Sequence, residues 1–176
     1  MKPSVIIVSG WRDWPTTDAG LVENELALLK RAGLIGLLVD GACTGVDQIA
    51  HDWALGAGVD TKRFPADWSI GKSAGPERNR EMLDWAKSEA EERAVGVCLL
   101  AFPGVTSRGT KDCIEAAKER KIEVITHPYP GVKISKHKMP TGECYFCKKE
   151  DELWPFYNVR HCCPTCWHEL TPKEYL

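Results

Sequence analysis

Five short runs, four of them apolar and the third weaker and more polar, alternate with longer amphipathic segments over the first 127 residues. The runs are SVIIVSG (4–10), LIGLLVDG (34–41), DTKRFPA (60–66), AVGVCLLAF (94–102) and IEVITHP (122–128). Most are too uniformly apolar for a strand with one face in water, so they predict buried strands. The pattern therefore predicts an α/β fold: a doubly wound parallel sheet of about five strands covered by helices on both faces.

Each segment between these runs has helical spacing of its apolar residues. Val22, Leu26 and Leu29 share one face of the first, which has Thr17 or Asp18 as a candidate N-cap. Pro76 stands at the first turn of the third, where a missing N–H has no cost. The segments predicted as helices are 16–33, 45–58, 75–93 and 108–121.

The loops after the strands carry the candidate chemistry, because ligands of such sheets bind beyond the carboxyl ends of the strands. Each loop contains glycine, and three of them lead into helix N-termini suited to anions such as phosphate. The alternative is that the glycines only serve tight turns. The candidate ligand-binding residues are Gly10, Arg12, Asp13, Gly41, Thr44, Gly45, Asp47, Lys72, Arg78, Asn79, Gly104, Gly109 and Thr110.

Several of these side chains have a second interpretation. Arg12 and Asp13 either hold the ligand or pair with each other, and Asp47 either caps its helix or faces a ribose hydroxyl. Trp11, Trp14 and Trp68 flank the same loops and serve either as packing or as a platform for a base.

Composition narrows the classes of function. The 176 residues are 43% hydrophobic and 27% charged, with a net charge of -2, so no basic excess points to nucleic acid or a membrane surface. No apolar run reaches the roughly 20 residues of a membrane-spanning helix, and the first residues lack a signal-peptide core. We expect a cytoplasmic protein that does not associate with a membrane.

The ordered set VSGWRDW, DGACTGVDQIAHDWA, FPADW…GKSAGPERNREM and AFPG…RGTKDCIEAAK resembles the YspA/YpsA-related branch of the SLOG superfamily, over about residues 4–127. The resemblance implies a Rossmann-like domain that binds or senses a nucleotide or nucleotide-derived small molecule. Some members of the superfamily instead hydrolyse the base–ribose bond of nucleoside monophosphates, with a PGGxGTxxE loop.

That loop reads PGVTSRGTKD here, with one glycine lost and Asp112 where the hydrolases have Glu. By resemblance, Arg78 lies near the hydrolases' functional arginine. The enzyme alternative is therefore an N-glycosidic hydrolase in which Arg78 orients the substrate and Asp112 stabilises the oxocarbenium ion. A carboxylate placed about 1 Å short would be a poor substitute.

The stretch ADWSIGKS (66–73) nearly matches a P-loop, with Ala66 in place of glycine. Gly75 and Pro76 follow too soon for Lys72 to lie on the first helical turn, and the fourth strand ends in Phe102 without an acid. We therefore reject a P-loop NTPase. Lys72 remains either a ligand contact or an exposed lysine.

Five of the eight cysteines lie between 144 and 166. Cys144 and Cys147 form one C-x2-C pair, and Cys163 and Cys166 form a second, with 15 residues between the pairs. This spacing predicts a zinc ribbon whose four thiolates leave no open position on the ion, so the zinc is structural. Redox dithiols are the alternative, as is replacement of one ligand by Cys162, His161 or His168.

We predict a SLOG domain over 1–127, a linker over 128–142 and a zinc-ribbon-like module over 143–176. Residues 132–176 hold seven basic and six acidic residues, so the module favours protein contact or self-association over nucleic acid. Nucleic-acid association through the ribbon stays an alternative.

Overall fold

The computed structural model describes residues 4–104 and 106–130, and the backbone of four short strands beyond them. The chain divides into two compact units, Met1–Val132 and Lys133–Leu176.

The first unit alternates strands and helices. The strands are β1 (Ser4–Gly10), β2 (Ile35–Asp40), β3 (Asp60–Arg63), β4 (Val97–Phe102) and β5 (Glu123–Thr126). The helices are α1 (Ala19–Arg31), α2 (Val46–Ala57), α3 (Ala74–Arg93) and α4 (Arg108–Glu119), with short 3-10 helices at Thr16–Asp18 and Trp68–Ser73. All five predicted strands and all four predicted helices are present.

The five strands form one parallel sheet in the order β3-β2-β1-β4-β5. The chain winds outward from β1 to β3 and then crosses back to β4 on the other side of β1. The topological switch point therefore lies between β1 and β4, which confirms the Rossmann-like, doubly wound prediction.

The side chains of each strand alternate between the two faces of the sheet, and helices cover both faces. On one face Ile7, Val39 and Leu99 pack in a core cluster with Met82 of α3 and Cys113 of α4. The opposite face holds a second set of fully buried side chains, which includes Val8 and Leu38 of the sheet, Leu26 of α1 and Ala50 of α2. This double coverage explains why the strands lack polar alternation.

Two details differ from the predictions made from the sequence. The first is the buried face of α2: Asp47 and Ala54 are buried, whereas Ile49 and Trp53, which match the helical spacing, are only half-buried.

The second is the start of the predicted linker. Tyr129 lies in that segment, but its ring packs on Trp14 with centroids 5.0 Å apart, and its hydroxyl donates to Asp18 Oδ2 at 2.5 Å. The start of that segment thus belongs to the first unit.

In the second unit, two antiparallel pairs are described. They join β6 (Thr141–Glu143) to β7 (Glu150–Glu152) and β8 (Trp154–Phe156) to β9 (Arg160–Cys162). The four predicted zinc ligands, Cys144, Cys147, Cys163 and Cys166, lie outside the described residues, as does His168.

Candidate functional site

A cavity of about 280 Å³ opens at the carboxyl edge of the sheet, beside the switch point. The loops after β1, β2 and β4 line it together with the second turn of α3 and the first turn of α4. Its lining residues are Ser9, Gly10, Trp11, Arg12, Asp13, Cys43, Asp47, Arg78, Asn79, Thr106, Ser107, Arg108, Gly109 and Thr110.

Most of the candidate ligand-binding residues meet here. Those that line the cavity are Gly10, Arg12, Asp13, Asp47, Arg78, Asn79, Gly109 and Thr110. Gly41, Thr44, Gly45 and Gly104 lie in the loops that support it. Lys72 and Asp112 are not among the lining residues.

Two glycines allow the cavity walls to approach each other. A Cβ on Gly104 would collide with the indole ring of Trp11, and a Cβ on Gly41 would collide with the guanidinium of Arg78. Both positions therefore require glycine for close packing rather than for an unusual backbone angle.

Arg78 is a buried cation, with 8% of its surface exposed. Its Nε donates to Asn79 Oδ1 at 3.1 Å, Nη1 to the Phe64 carbonyl at 3.1 Å, and Nη2 to Cys43 Sγ at 3.4 Å. None of the ion pairs among the described residues involves Arg78. A guanidinium has five N–H donors, so Arg78 keeps donors for an anion in the cavity.

Asp112 supports this arrangement from outside the cavity. Its Oδ2 accepts from Asn79 Nδ2 at 2.9 Å, and its Oδ1 lies 3.4 Å from Arg80 Nη2. Asn79 in turn accepts from Arg78, and its Nδ2 also lies 3.3 Å from the Gly109 carbonyl. Asp112 therefore orients Asn79, and through it Arg78.

Asp47 is the buried carboxylate of the cavity, 3% exposed. It is the second residue of α2 and accepts from the Cys43 N–H at 3.3 Å through Oδ2, so it is not the N-cap, which is Gly45. Burial raises the pKa of Asp47 to about 6, while the nearby charge of Arg78 opposes the rise.

Two buried polar atoms on the cavity lining have no hydrogen-bond partner among the described residues: Oδ1 of Asp47 and the indole Nε1 of Trp11. Such groups are costly to bury unpaired.

The first turn of α4 adds backbone donors. Its first internal bond runs from the Lys111 N–H to the Ser107 carbonyl at 3.0 Å. In the part of the chain that the structure describes, the N–H groups of Gly109 and Thr110 have no carbonyl partner, as is usual for first-turn amides. Together with the helix dipole, these first-turn amides make the start of α4 suited to an anion.

Lys72 lies apart from this centre. It is exposed in the 3-10 helix Trp68–Ser73, and α3 begins only at Ala74.

The tryptophans near the cavity loops differ in exposure. The Trp68 side chain is 54% exposed, and the Arg12 guanidinium lies over one face of its ring, 5.2 Å from the centroid. Trp14 is buried and packs against Phe102.

Sequence reasoning missed several side chains around the cavity. Ser107 is buried, and its Oγ accepts from the Gly104 N–H at 2.6 Å, which fixes the loop before α4. Asp40, fully buried at the end of β2, accepts from the Ala42 N–H at 2.8 Å and Arg63 Nε at 3.0 Å. The position of Asp40 at the end of a strand could have identified it from the sequence. Its partner Arg63 lies on β3, and no local pattern links the two residues.

Within the described ranges, no group of three or more His, Cys, Asp or Glu side chains has the arrangement of a metal site. Over the same ranges, no helix combines the length and apolarity needed to cross a membrane.

Comparison with known proteins gives three kinds of match. The family model described as "YspA, cpYpsA-related SLOG family" matches residues 4–71. The Gene 61 protein of Mycobacterium phage D29 is 35% identical over 127 residues, covering 68% of this chain and 93% of that protein.

Two solved structures are similar in fold. DNA processing protein A (DprA) from Streptococcus pneumoniae has a TM-score of 0.42 at 20% identity, covering 70% of this chain and 58% of its own. The structural genomics target TM1055 has a TM-score of 0.48 at 16% identity, covering 69% of this chain and 72% of its own.

Proposed function

The chain belongs to the YspA/cpYpsA-related SLOG family, and from this premise we propose that it binds a nucleotide or nucleotide-derived small molecule. The ligand occupies the cavity at the carboxyl edge of the sheet, and the protein acts as a sensor or carrier of that ligand. Binding at this edge, near the switch point, is the general behaviour of doubly wound sheets.

One observation carries the proposal: Arg78 and Asp47 line one cavity together with the first turn of α4. A buried guanidinium with no ion-pair partner among the described residues and a helix N-terminus both favour an anionic group. Ligand phosphate suits this pair of features.

The uncharged groups of the ligand are recognised by Asp47 and Trp11. An ionised Asp47 accepts from a hydroxyl or amino group, and the Trp11 indole donates to an oxygen or nitrogen acceptor. A sugar hydroxyl next to a phosphate provides such a combination. The volume of about 280 Å³ is close to the lower end for small-molecule sites, about 300 Å³, so it fits the sugar–phosphate part of a nucleotide.

Binding without turnover agrees best with Asp112. As a hydrolytic residue it would have to reach the reacting sugar, but its carboxylate is held by Asn79 and Arg80 and does not line the cavity. An N-glycosidic hydrolase predicts release of free base from nucleoside monophosphates, and loss of that release in Asp112→Asn. The sensor proposal predicts no base release and nearly unchanged affinity in Asp112→Asn.

We also propose one structural zinc ion in the second unit, bound by Cys144, Cys147, Cys163 and Cys166. Support comes from the spacing of the two C-x2-C pairs and from the chemistry of four thiolates, which suits tetrahedral zinc. The ion would supply folding energy to a segment too small to bury a core of its own.

Native mass spectrometry of the freshly purified full chain, followed by calorimetric titration with nucleoside mono-, di- and triphosphates, tests the ligand proposal. We expect a bound species or a titratable site, and Arg78→Ala should weaken binding by about 1.5–3 kcal/mol, the range for hydrogen bonds to charged groups. Lys72→Ala is the matched control, since it removes a basic charge outside the cavity. Equal losses in both variants would reduce the effect to general electrostatics and contradict the proposal.

A further inference from the structure

Cys43 is hydrogen-bonded to Asp47 and Arg78, the two buried charged residues of the cavity lining. Its backbone N–H donates to Asp47 Oδ2 at 3.3 Å, and its Sγ accepts from Arg78 Nη2 at 3.4 Å. The side chain lines the cavity, close to Asp47, whose Oδ1 is buried and has no hydrogen-bond partner within 4–104 and 106–130. A group added to this sulfur therefore lies at the cavity lining, beside Arg78 and Asp47.

The other two cysteines of the first unit provide an internal comparison. Cys98 is 1% exposed in β4, and Cys113 is 0% exposed in α4, where burial raises the pKa of its thiol to about 12. Cys43 is half-buried, in a loop before a helix N-terminus and beside a guanidinium. Reactive cysteines occur in partly exposed, electropositive surroundings of this kind, whereas buried structural ones are inert.

We propose that Cys43 is a covalent modification site for small, negatively charged disulfides, and that its modification excludes the anionic ligand from the cavity. The second half of this proposal rests on the proposed function. In the exchange step the Cys43 sulfur, having lost its proton to solvent, attacks one sulfur of the disulfide R–S–S–R. A new Cys43–S–S–R bond forms, the original S–S bond breaks, and the leaving thiolate takes up a proton from solvent.

The charge of the lining sets the preference among disulfides. Arg12, Arg78 and Arg108 face the cavity against Asp13 and Asp47. A carboxylate-bearing disulfide is attracted to this excess of guanidinium groups, and a cationic one is repelled. Once attached, the new group shares a volume of about 280 Å³ with Arg78 and the α4 first turn, which leaves little room for a phosphate.

Site-resolved labelling of the full chain tests the site. The protein is pulsed with anionic 5,5′-dithiobis(2-nitrobenzoate) or cationic cystamine, its remaining thiols are blocked with N-ethylmaleimide, and tryptic peptides are quantified by mass spectrometry. Cleavage after Arg31 and Lys62 isolates Cys43 in peptide 32–62, whereas Cys98 falls in 94–108 and Cys113 in 112–118. The C-terminal cysteines fall in peptides 139–148 and 161–173.

We expect Cys43 to react at least about tenfold faster than Cys98 and Cys113. Each rate is divided by the rate of the same probe with 2-mercaptoethanol, which removes the difference in leaving group. On this normalised scale Cys43 should react about fivefold or more faster with the anionic probe than with the cationic one. In Arg78→Gln the preference for the anionic probe should diminish. Labelling of Cys43 no faster than that of Cys98 and Cys113, or equal normalised rates with the two probes on the wild-type chain, would overturn the modification site.

The exclusion claim is tested with adenosine 5′-monophosphate as the probe ligand. Protein labelled at Cys43 should bind it at least about tenfold more weakly than unlabelled protein, and labelled Cys43→Ser, in which only other cysteines react, should retain its own affinity. Equal affinity before and after labelling would overturn the exclusion claim. If the unlabelled chain binds no nucleotide at all, the proposed function and the exclusion claim fail together, whereas the peptide spectra still decide the modification site.

Discussion

Asp47 gives the sharpest prediction, because a carboxylate whose pKa is raised by burial weakens the fold once it is ionised. Asp47→Asn keeps the size of the side chain and leaves an oxygen to accept from the Cys43 N–H, but it removes the titratable charge. We predict that this variant is more stable than the wild type at neutral pH.

The magnitude follows from the pKa. Burial raises the pKa of Asp47 from 3.8 to about 6 in the folded protein, and each pKa unit corresponds to about 1.4 kcal/mol. Below about pH 4 the group is protonated in both the folded and the unfolded state and contributes nothing. As the pH rises through 6, the unfolded state ionises more easily, so ionised Asp47 destabilises the fold by on the order of 3 kcal/mol.

The assay is denaturant unfolding of wild type and Asp47→Asn between pH 4 and pH 8, without added nucleotide. The stability difference in favour of the variant should be near zero at pH 4, rise between pH 4 and pH 6, and reach a plateau above pH 7. Thermal melting should show it as about 6–12 °C. A difference that is independent of pH, or a variant that becomes less stable as the pH rises, would show that ionised Asp47 is stabilised by Arg78 and would refute this reasoning.

Three further predictions concern packing, metal and the support of Asn79. Gly104→Ala should destabilise the chain by about 1–3 kcal/mol in denaturant unfolding because its methyl group overpacks against Trp11, whereas Gly109→Ala, with open space at its Cβ, should be neutral or stabilising; equal effects would contradict the close-packing explanation. Cys163→Ser should lower bound zinc from one ion per chain to well below one by atomic emission while the first unit keeps its unfolding transition, and undiminished zinc would exclude Cys163 as a ligand. Asp112→Asn should change nucleotide affinity less than about threefold, since an amide oxygen still accepts from Asn79, and a larger loss would assign Asp112 a direct role in the site.

The fold was accessible from sequence because its signal is periodic and repeated. Uniformly apolar runs such as that of β4 identify a sheet buried on both faces, and their alternation with helices specifies parallel strands. The strand order, with its switch point between β1 and β4, agrees with the doubly wound prediction. Loop glycines such as Gly10 and Gly109 then lie at the same edge of the sheet, because the carboxyl ends of parallel strands meet there.

The details of the site depend on contacts between distant segments, which no local pattern encodes. The sequence places Arg78 at a helix start, but it does not show that the guanidinium bonds to the thiol of Cys43, 35 residues earlier. Asp112 was predicted from its place in a loop pattern, yet its carboxylate lies against Asn79 and outside the cavity lining. Lys72 belongs to the P-loop-like stretch ADWSIGKS (66–73). The kink at Gly71 and the late start of α3 nevertheless leave its side chain exposed to solvent.

The measurement that tests the central claim most directly is a binding cycle between Arg78 and the ligand phosphate. Wild type and Arg78→Ala are each titrated by calorimetry with adenosine and with adenosine 5′-monophosphate. If the cavity holds the phosphate of a nucleotide, the phosphate should increase affinity at least about tenfold for the wild type and less than about threefold for the variant. The same phosphate gain in both proteins, or no binding of either compound by the wild type, would contradict the account.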